Sequence, residues 1–577
     1  MAIIKQVTWI IAVITVAFCV SSFGNGANDV SNSYATTIAS NTLSMKQAGG
    51  LAVFTEFSGA VVLGGDVTET IKNGVINITH FDDSPDALVL AMGCVEFGSA
   101  AWLTAATYLG LPISTTQTVV GSLAGVGFAS GAPVNWSWLK IGLSQIAASW
   151  IISPFIACVI AVLFQWLMNV AFLNRKDTFK WARRFAPLIF ALTCTLLAVF
   201  VLVDLLDGQS VMEFGIGKFS GSIIGTFLGA LALWYMFASP YIHRSLAVQD
   251  PRLRLIHIPM GPLLLYKNPP YYFPADETAP VTNDPVSQQP DGPEDASLES
   301  PAQALAEVLQ DTEQAPSSIG LEPINKSHRD PNQPPPDREG LVHSIPVPAR
   351  EKYLTSTEEL PLYKPARLWA WFKYLLCRGV SQECVTFNST KVNDAHTHSK
   401  KHDSRAEELW KPLQIVSAMM MSIAHGSNDV SNAVAPWVSA YATWRFGFVS
   451  EAAETPIWTV CAAAILIGAG FWFFGYKVVR SLGNKITFVS PTRGFVINMA
   501  TSVTVLVASK LGIPVSTTQC QLGATIGVGL SSFDTKAINW KQIGFIVIGW
   551  ILTLPIAGLV SGSLMLMALN TPHMATP

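Results

Sequence analysis

"GNGANDVSN", residues 24–32, follows an apolar run from Val7 to Phe23, and "AHGSNDVSN", residues 424–432, repeats the pattern later in the chain. In each copy an aspartate flanked by asparagines stands inside a stretch that otherwise has the composition of a membrane span. On a helix, Asn25, Asn28, Asp29 and Asn32 fall at i, i+3, i+4 and i+7 and share one face over two turns. His425, Asn428, Asp429 and Asn432 have the same spacing. A carboxylate at the bilayer centre costs about 3 kcal/mol or more unless it meets a partner or a wet cavity. Cross-linking of helices by asparagine amides would not require that cost in both copies. Asp29 and Asp429 are therefore candidate functional residues.

The composition fixes the class. Half of the 577 residues are hydrophobic, 13% are charged and the mean hydropathy is +0.38. These values describe an integral membrane protein and exclude a soluble enzyme. Apolar windows fall near 7–40, 45–65, 86–109, 112–130, 138–173, 185–206 and 219–240, then near 411–441, 457–477, 493–510, 514–531 and 541–568. The expected fold is all-α, with about twelve transmembrane segments, discontinuous helices and a long polar central loop. The first membrane half takes residues 1–240, comprising a repeat at about 7–173 and two linking spans. A hydrophilic stretch covers 241–409, and the second half is 410–577. Between Pro274 and Pro348 the loop is rich in Pro, Asp, Glu, Ser and Gln, a composition that cannot bury enough apolar surface to fold and predicts disorder. Val7–Phe23 reads as a retained span, because its flank holds only Lys5 and no small-residue cleavage pattern. The eight cysteines form no CxxC pair and read as small apolar residues.

A second motif is also duplicated. "GLPISTTQTVVGSLAGVG", residues 110–127, matches "GIPVSTTQCQLGATIGVG", residues 512–529, in the same order relative to the first motif. Internal duplication follows. Seven spans separate the start of the chain from the loop, so the two copies enter the membrane from opposite sides as an inverted repeat. This count takes each "STTQ" segment as a crossing. Pro112 and Pro514 can start a helix, and Ser114 and Ser516 can cap its first turn. Hydroxyls and free N–H groups at a helix N-terminus bind an anion without a cationic side chain. Candidate oxyanion contacts are Ser114, Thr115, Thr116, Gln117, Ser516, Thr517, Thr518 and Gln519, with Asn32 and Asn432. The buried charges in these spans are acidic: Asp29, Glu56, Glu96 and Asp429. Carboxylates beside an anion site require a cation, and Asp29, Asp429 and the amide oxygens around them offer hard oxygen ligands for a small cation or a proton. Each ligand then binds better in the presence of the other, which is the logic of cation-coupled symport.

Lys and Arg prefer the cytoplasmic side. Arg175, Lys176, Lys180, Arg183 and Arg184 lie between the fifth and sixth spans, and Lys477, Arg480, Lys485 and Arg493 follow the ninth. Both segments read as cytoplasmic. The termini and the 66–85 and 131–137 loops then lie outside and the central loop inside; sequons at Asn77 and Asn135 fall outside in agreement, and those at Asn325 and Asn388 fall inside, where they stay unused. "RLWAWFKYLLCRG", residues 367–379, has the aromatic and basic mix of a helix on a membrane surface. The cluster His396, His398 and His402 reads as part of a solvated basic stretch.

The paired "GANDVSN" and "GSNDVSN" with "LPISTTQ" and "IPVSTTQ" resemble the twin signatures of the inorganic phosphate transporter family, and the "STTQ" form and polar loop are similar to fungal phosphate-repressible permeases. The resemblance spans both membrane halves. It implies import of inorganic phosphate with sodium or protons, no cofactor, and sodium as co-substrate. It implies ion-site roles for Asn28, Asp29, Asn428 and Asp429 and phosphate contacts from Ser114–Thr116 and Ser516–Thr518. Glu56, in "FTEFSGA", matches a family glutamate associated with coupling. In "GFVINMATS" this chain has Asn498 where the family pattern has a glutamate, and Glu96 is its counterpart in the first half. The implied location is the plasma membrane, with a homodimer among the possible assemblies and no nucleic-acid partner. A non-transporting phosphate sensor is the alternative. An intramembrane hydrolase is disfavoured by the lack of GxSxG, HExxH or an ordered His–Ser pairing in the spans.

Overall fold

The computed structural model describes residues 7–138, 142–206, 211–247, 253, 255–265, 348–385, 395–451, 454–532 and 534–571. Most of the Pro274–Pro348 stretch, expected to be disordered, therefore lies outside the described residues. The described elements are helical apart from one isolated bridge between Ile76 and Val134. Two compact units are present, one formed by Met1–Phe227 with Ile345–Pro577 and one by Leu228–Ser344. The second unit holds π-helical turns at Trp234–Ala238 and His243–Ala247 and a 3-10 segment at Leu255–Leu265, and the Arg244 guanidinium ties the latter two by donating to the Leu264 carbonyl at 3.2 Å.

In chain order the longer helices are α1 (Thr8–Asn28), α2 (Val30–Ala39), α3 (Met45–Leu63), α4 (Gly65–Gly74), α5 (Pro85–Leu109), α6 (Thr115–Ser130), α7 (Leu143–Met168), α8 (Thr178–Leu205) and α9 (Ile216–Leu233). After the loop come α10 (Pro365–Cys377), α11 (Ser404–Phe446), α12 (Ile457–Phe474), α13 (Tyr476–Leu482), α14 (Pro491–Lys510), α15 (Thr517–Leu530) and α16 (Trp540–Leu569). Among the described residues, seven helical stretches are long and apolar enough to cross a membrane. The 16-residue α6 and 14-residue α15 span about 24 and 21 Å, short of a hydrocarbon core of about 30 Å.

The inversion is visible where the copies of the aspartate motif meet. Asn25 donates to the Asp429 carbonyl at 2.7 Å, Trp437 to Thr15 at 3.1 Å and Trp444 to Thr8 at 3.2 Å, so numbers rise along α11 as they fall along α1. The two helices are antiparallel.

The "STTQ" segments follow hairpin tips. Helix α5 ends at Gly110, whose φ of 69° is open to glycine at little cost, and α6 runs back. The open end of this hairpin is tied by Asn77 N–H to the Pro133 carbonyl and Asn135 N–H to the Val75 carbonyl, both 2.9 Å. In the second copy Gly512 has φ 63°, and the open end is tied by Asn539 N–H to the Ile486 carbonyl at 2.8 Å and the Thr487 hydroxyl to the Ala537 carbonyl at 2.9 Å. A hairpin returns to the end it left, so two arms change the span count by an even number and the inversion stands. Each tip docks beside the open end of the other hairpin: Ser481 of α13 donates to the Gly110 carbonyl at 2.7 Å, and Thr70 of α4 to the Gly512 carbonyl at 2.8 Å.

The repeats also exchange their short helices. Gly121 and Gly125 of α6 pack on Leu554 and Gly558 of α16, while Gly523 and Gly527 of α15 pack on Pro154 and Cys158 of α7. Each half-helix is thus held by a long helix of the other repeat, which places both N-termini at the interface of the two copies.

Candidate functional site

The aspartate stripes and the half-helix N-termini converge on one buried cluster. The first stripe has a single-residue irregularity at Asp29, between α1 and α2, where the backbone stays helical (φ −87°, ψ −29°), whereas α11 runs through Asp429 without interruption. The flanking glycines allow close packing of backbones. A Cβ on Gly26 would lie 1.7 Å from the Ile467 carbonyl oxygen, and one on Gly426 would lie 2.5 Å from that of Glu56.

Ser114 and Ser516 cap α6 and α15, accepting from Gln117 N–H at 3.2 Å and Gln519 N–H at 3.3 Å, the local role read from their position after the prolines. Asn28 accepts from Ile113 N–H at 3.0 Å and donates to the Leu111 carbonyl at 2.9 Å. Asn428 donates to the Val515 carbonyl at 2.9 Å and accepts from its N–H at 3.4 Å. Each asparagine grips the extended linker that leads into its half-helix, and so fixes where the threonines point.

The threonines reach across the pseudo-twofold. Asp29 Oδ2 accepts from Thr115 N–H at 3.1 Å and Thr115 Oγ1 at 2.7 Å, and Asp29 Oδ1 accepts from Thr518 Oγ1 at 3.1 Å. Asp429 Oδ2 accepts from Thr517 Oγ1 at 2.7 Å, and its Oδ1 from Thr116 Oγ1 at 3.3 Å. Asn32 donates to Thr518 Oγ1 at 2.7 Å, and Asn432 donates to Thr115 Oγ1 at 3.0 Å, Thr116 Oγ1 at 3.1 Å and Asp429 Oδ1 at 2.7 Å. Every one of these side chains is buried. Among the described residues, Asn32 Oδ1, Asn432 Oδ1, Gln117 Oε1 and Gln519 Oε1 have no hydrogen-bond partner. Four amide oxygens in two symmetric pairs thus remain available in the buried region around the two carboxylates.

One ligand atom each of Asp29, His425 and Asp429 lie within 4.8 Å of one another. Two carboxylates this close in a buried site repel unless positive charge stands between or beside them. His425 supplies part of the answer: its Nδ1 lies 2.6 Å from Glu56 Oε2 and its Nε2 lies 3.0 Å from Asp429 Oδ2. Ser422 donates to Glu56 Oε1 at 2.6 Å and accepts from Thr55 at 2.7 Å, and the Thr55 hydroxyl is 2.9 Å from Tyr34. Glu56 is therefore joined to the aspartate cluster through His425. The sequence placed His425 on the polar stripe without giving it a role. The available signal was its asymmetry, since the matching position in the first copy is Asn25.

Other expectations fall elsewhere. Asn498 accepts from Thr36 of α2 at 2.9 Å, and Glu96 is buried beside Ser21 of α1 and the backbone of Trp437. The His396 ring bonds the Asn484 carbonyl at 2.8 Å, and burial, reinforced by Arg493 and Lys400, pushes the His402 imidazole down to about 4. Both rings are half-buried and His402 is neutral at cellular pH, while Lys400 and Lys401 beside them are exposed.

A model of the family described as "Phosphate transporter family" matches residues 25–561. The phosphate-repressible phosphate permease pho-4 of Neurospora crassa is 32% identical, with 99% of each chain covered. The sodium-dependent phosphate transporter 2 of Felis catus is 27% identical over 93% of this chain and 94% of its own. A solved structure titled "The sodium-dependent phosphate transporter" superposes with a TM-score of 0.58 at 20% identity, covering 98% of this chain and 100% of that one, and so supports the fold. The family match takes in both aspartate motifs and both hairpin tips, and the chain belongs to the phosphate transporter family.

Proposed function

We propose that the protein imports inorganic phosphate by secondary active symport driven by sodium. The observation that carries this reading is the interlocked cluster: two carboxylates, each receiving threonine hydroxyls from half-helices of both repeats, at the interface of an inverted pair. Asp29 and Asp429 supply the charge for sodium, with amide oxygens of the asparagine stripes as hard ligands. Thr115, Thr116, Thr517 and Thr518, with the capped N-termini behind them and Gln117 and Gln519 next along the first turn, supply donors for phosphate. Sodium releases the threonines from the carboxylates, and phosphate takes the released donors. Asn28 and Asn428 hold the linkers in register, and Glu56 acts on Asp429 through His425. The names of the vertebrate relatives favour sodium over the proton alternative.

Alternating access follows from rocking one repeat against the other about this site. The end that carries Arg175, Lys176 and Lys180, joined to the end of the central hydrophilic stretch where Lys400 donates to Asn174 at 2.7 Å, faces the cytoplasm on this reading, and the membrane is the plasma membrane.

The test is linkage. Phosphate affinity, measured by titration calorimetry on the purified protein, rises with sodium, and sodium affinity rises with phosphate by the same factor. Thr115→Val and Thr517→Val each lower phosphate affinity about tenfold, the loss of about 1.4 kcal/mol expected for a hydrogen bond to a charged group, and change sodium affinity less. Equal phosphate affinity with and without sodium rules out the coupled site, and a larger loss for sodium than for phosphate exchanges the two roles.

A further inference from the structure

Helix α10 turns its apolar face away from the protein. At 100° per residue, Leu368, Trp369, Phe372, Leu375 and Leu376 share one face. Leu368, Phe372 and Leu375 are 57%, 53% and 58% exposed, whereas Ala370 on the opposite side is 6% exposed and buried against the protein. A soluble loop would not leave such a stripe bare. The charge around it has one sign: residues 364–378 hold Lys364, Arg367, Lys373 and Arg378 and no acid. Arg367 is spent on the Glu358 and Leu360 carbonyls, while Lys364, Lys373 and Arg378 are exposed.

The segment is fixed to the transport core rather than dangling from it. Trp472 at the end of α12 donates to the Leu376 carbonyl at 2.7 Å, and Arg480 of α13 donates to the Glu383 carbonyl at 2.6 Å. Lys46 at the start of α3 donates to Tyr353 at 2.9 Å. These anchors lie at the ends of helices, where a bilayer surface would be, and α12 itself leaves Ile465 and Phe474 56% and 45% exposed.

We propose that α10 is a strap that lies in the membrane surface and binds anionic phospholipid, with the Leu368–Leu376 stripe among the acyl chains and Lys364, Lys373 and Arg378 on the headgroups. A neutral bilayer satisfies the stripe but not the three cations, so the anionic headgroup is the specific partner. The strap shares α13 with the first hairpin, because Ser481 and Lys477 donate to the Gly110 and Tyr108 carbonyls at 2.7 and 3.1 Å. Lipid binding is thereby one helix away from the tip that precedes Thr115.

The experiment is hydrogen exchange of residues 365–377 in the full-length protein, in nanodiscs of phosphatidylcholine alone or with phosphatidylserine added. Exchange in the wild type is at least about tenfold slower with the anionic lipid, given about fivefold in surface binding for each of three basic side chains near such a surface. The triple variant Lys364→Gln, Lys373→Gln, Arg378→Gln loses this difference and keeps phosphate uptake, which shows that it is folded. Equal exchange in the two lipids, or slowing that persists in the triple variant, overturns the proposal. Protection that appears only when cytosolic protein is added also overturns it and marks α10 as a protein-docking face.

Discussion

Asp29→Asn and Asp429→Asn each lower labelled-phosphate uptake at least about a hundredfold, while the protein still reaches the membrane. The substitution keeps shape and one carbonyl oxygen but removes the charge on which a cation depends, a change worth about 2.7 kcal/mol or more at a buried ligand. The two variants are not equivalent. Asp429 also faces His425 at 3.0 Å, whereas Asn25 occupies the matching position in the first copy. Removing Asp429 breaks a buried pair and leaves its partner charge less compensated, a loss of about 3–5 kcal/mol in comparable cases. The Asp429 variant therefore melts at lower temperature than the Asp29 variant, and both lose uptake. Normal uptake by either variant removes that aspartate from the ion site.

Glu56→Gln lowers uptake at least about tenfold without touching the threonine cradle. Glu56 accepts from Ser422 at 2.6 Å and lies 2.6 Å from His425, so an amide there leaves the imidazole with Asp429 as its remaining carboxylate partner. The expected signature is a raised sodium requirement with phosphate affinity changed less, because His425 reaches Asp429 Oδ2 and not the threonine hydroxyls. Glu56→Asp does not restore uptake, since a shorter side chain cannot keep both partners. If phosphate affinity falls more than sodium affinity, Glu56 acts on the anion and its route through His425 is wrong.

Much of this site was legible before any coordinates. Duplication of "NDVSN" and "STTQ" at matched separations implied an inverted pair, and the antiparallel α1 and α11 are its physical form. Proline two residues before serine foretold the Ser114 and Ser516 caps. Three features lay beyond a reading along the chain. Gly26 and Gly426 could be read only as permissive positions, because a sequence cannot show which backbones, those of Ile467 and Glu56, press on them. Local spacing could not reveal that α6 packs on α16 and α15 on α7, an exchange that depends on helices hundreds of positions away. Glu56 and His425 stand on different helices of opposite halves, so neither periodicity nor motif spacing joins them.

The most direct measurement is labelled-phosphate uptake into proteoliposomes containing this protein alone, with an inward sodium gradient, an inward proton gradient or neither. Accumulation above equilibrium with the sodium gradient, and none without a gradient, is the result expected of a sodium-driven symporter. Accumulation with the proton gradient alone would contradict sodium coupling and recast Asp29 and Asp429 as proton carriers, and no accumulation under either gradient by folded protein would contradict transport itself.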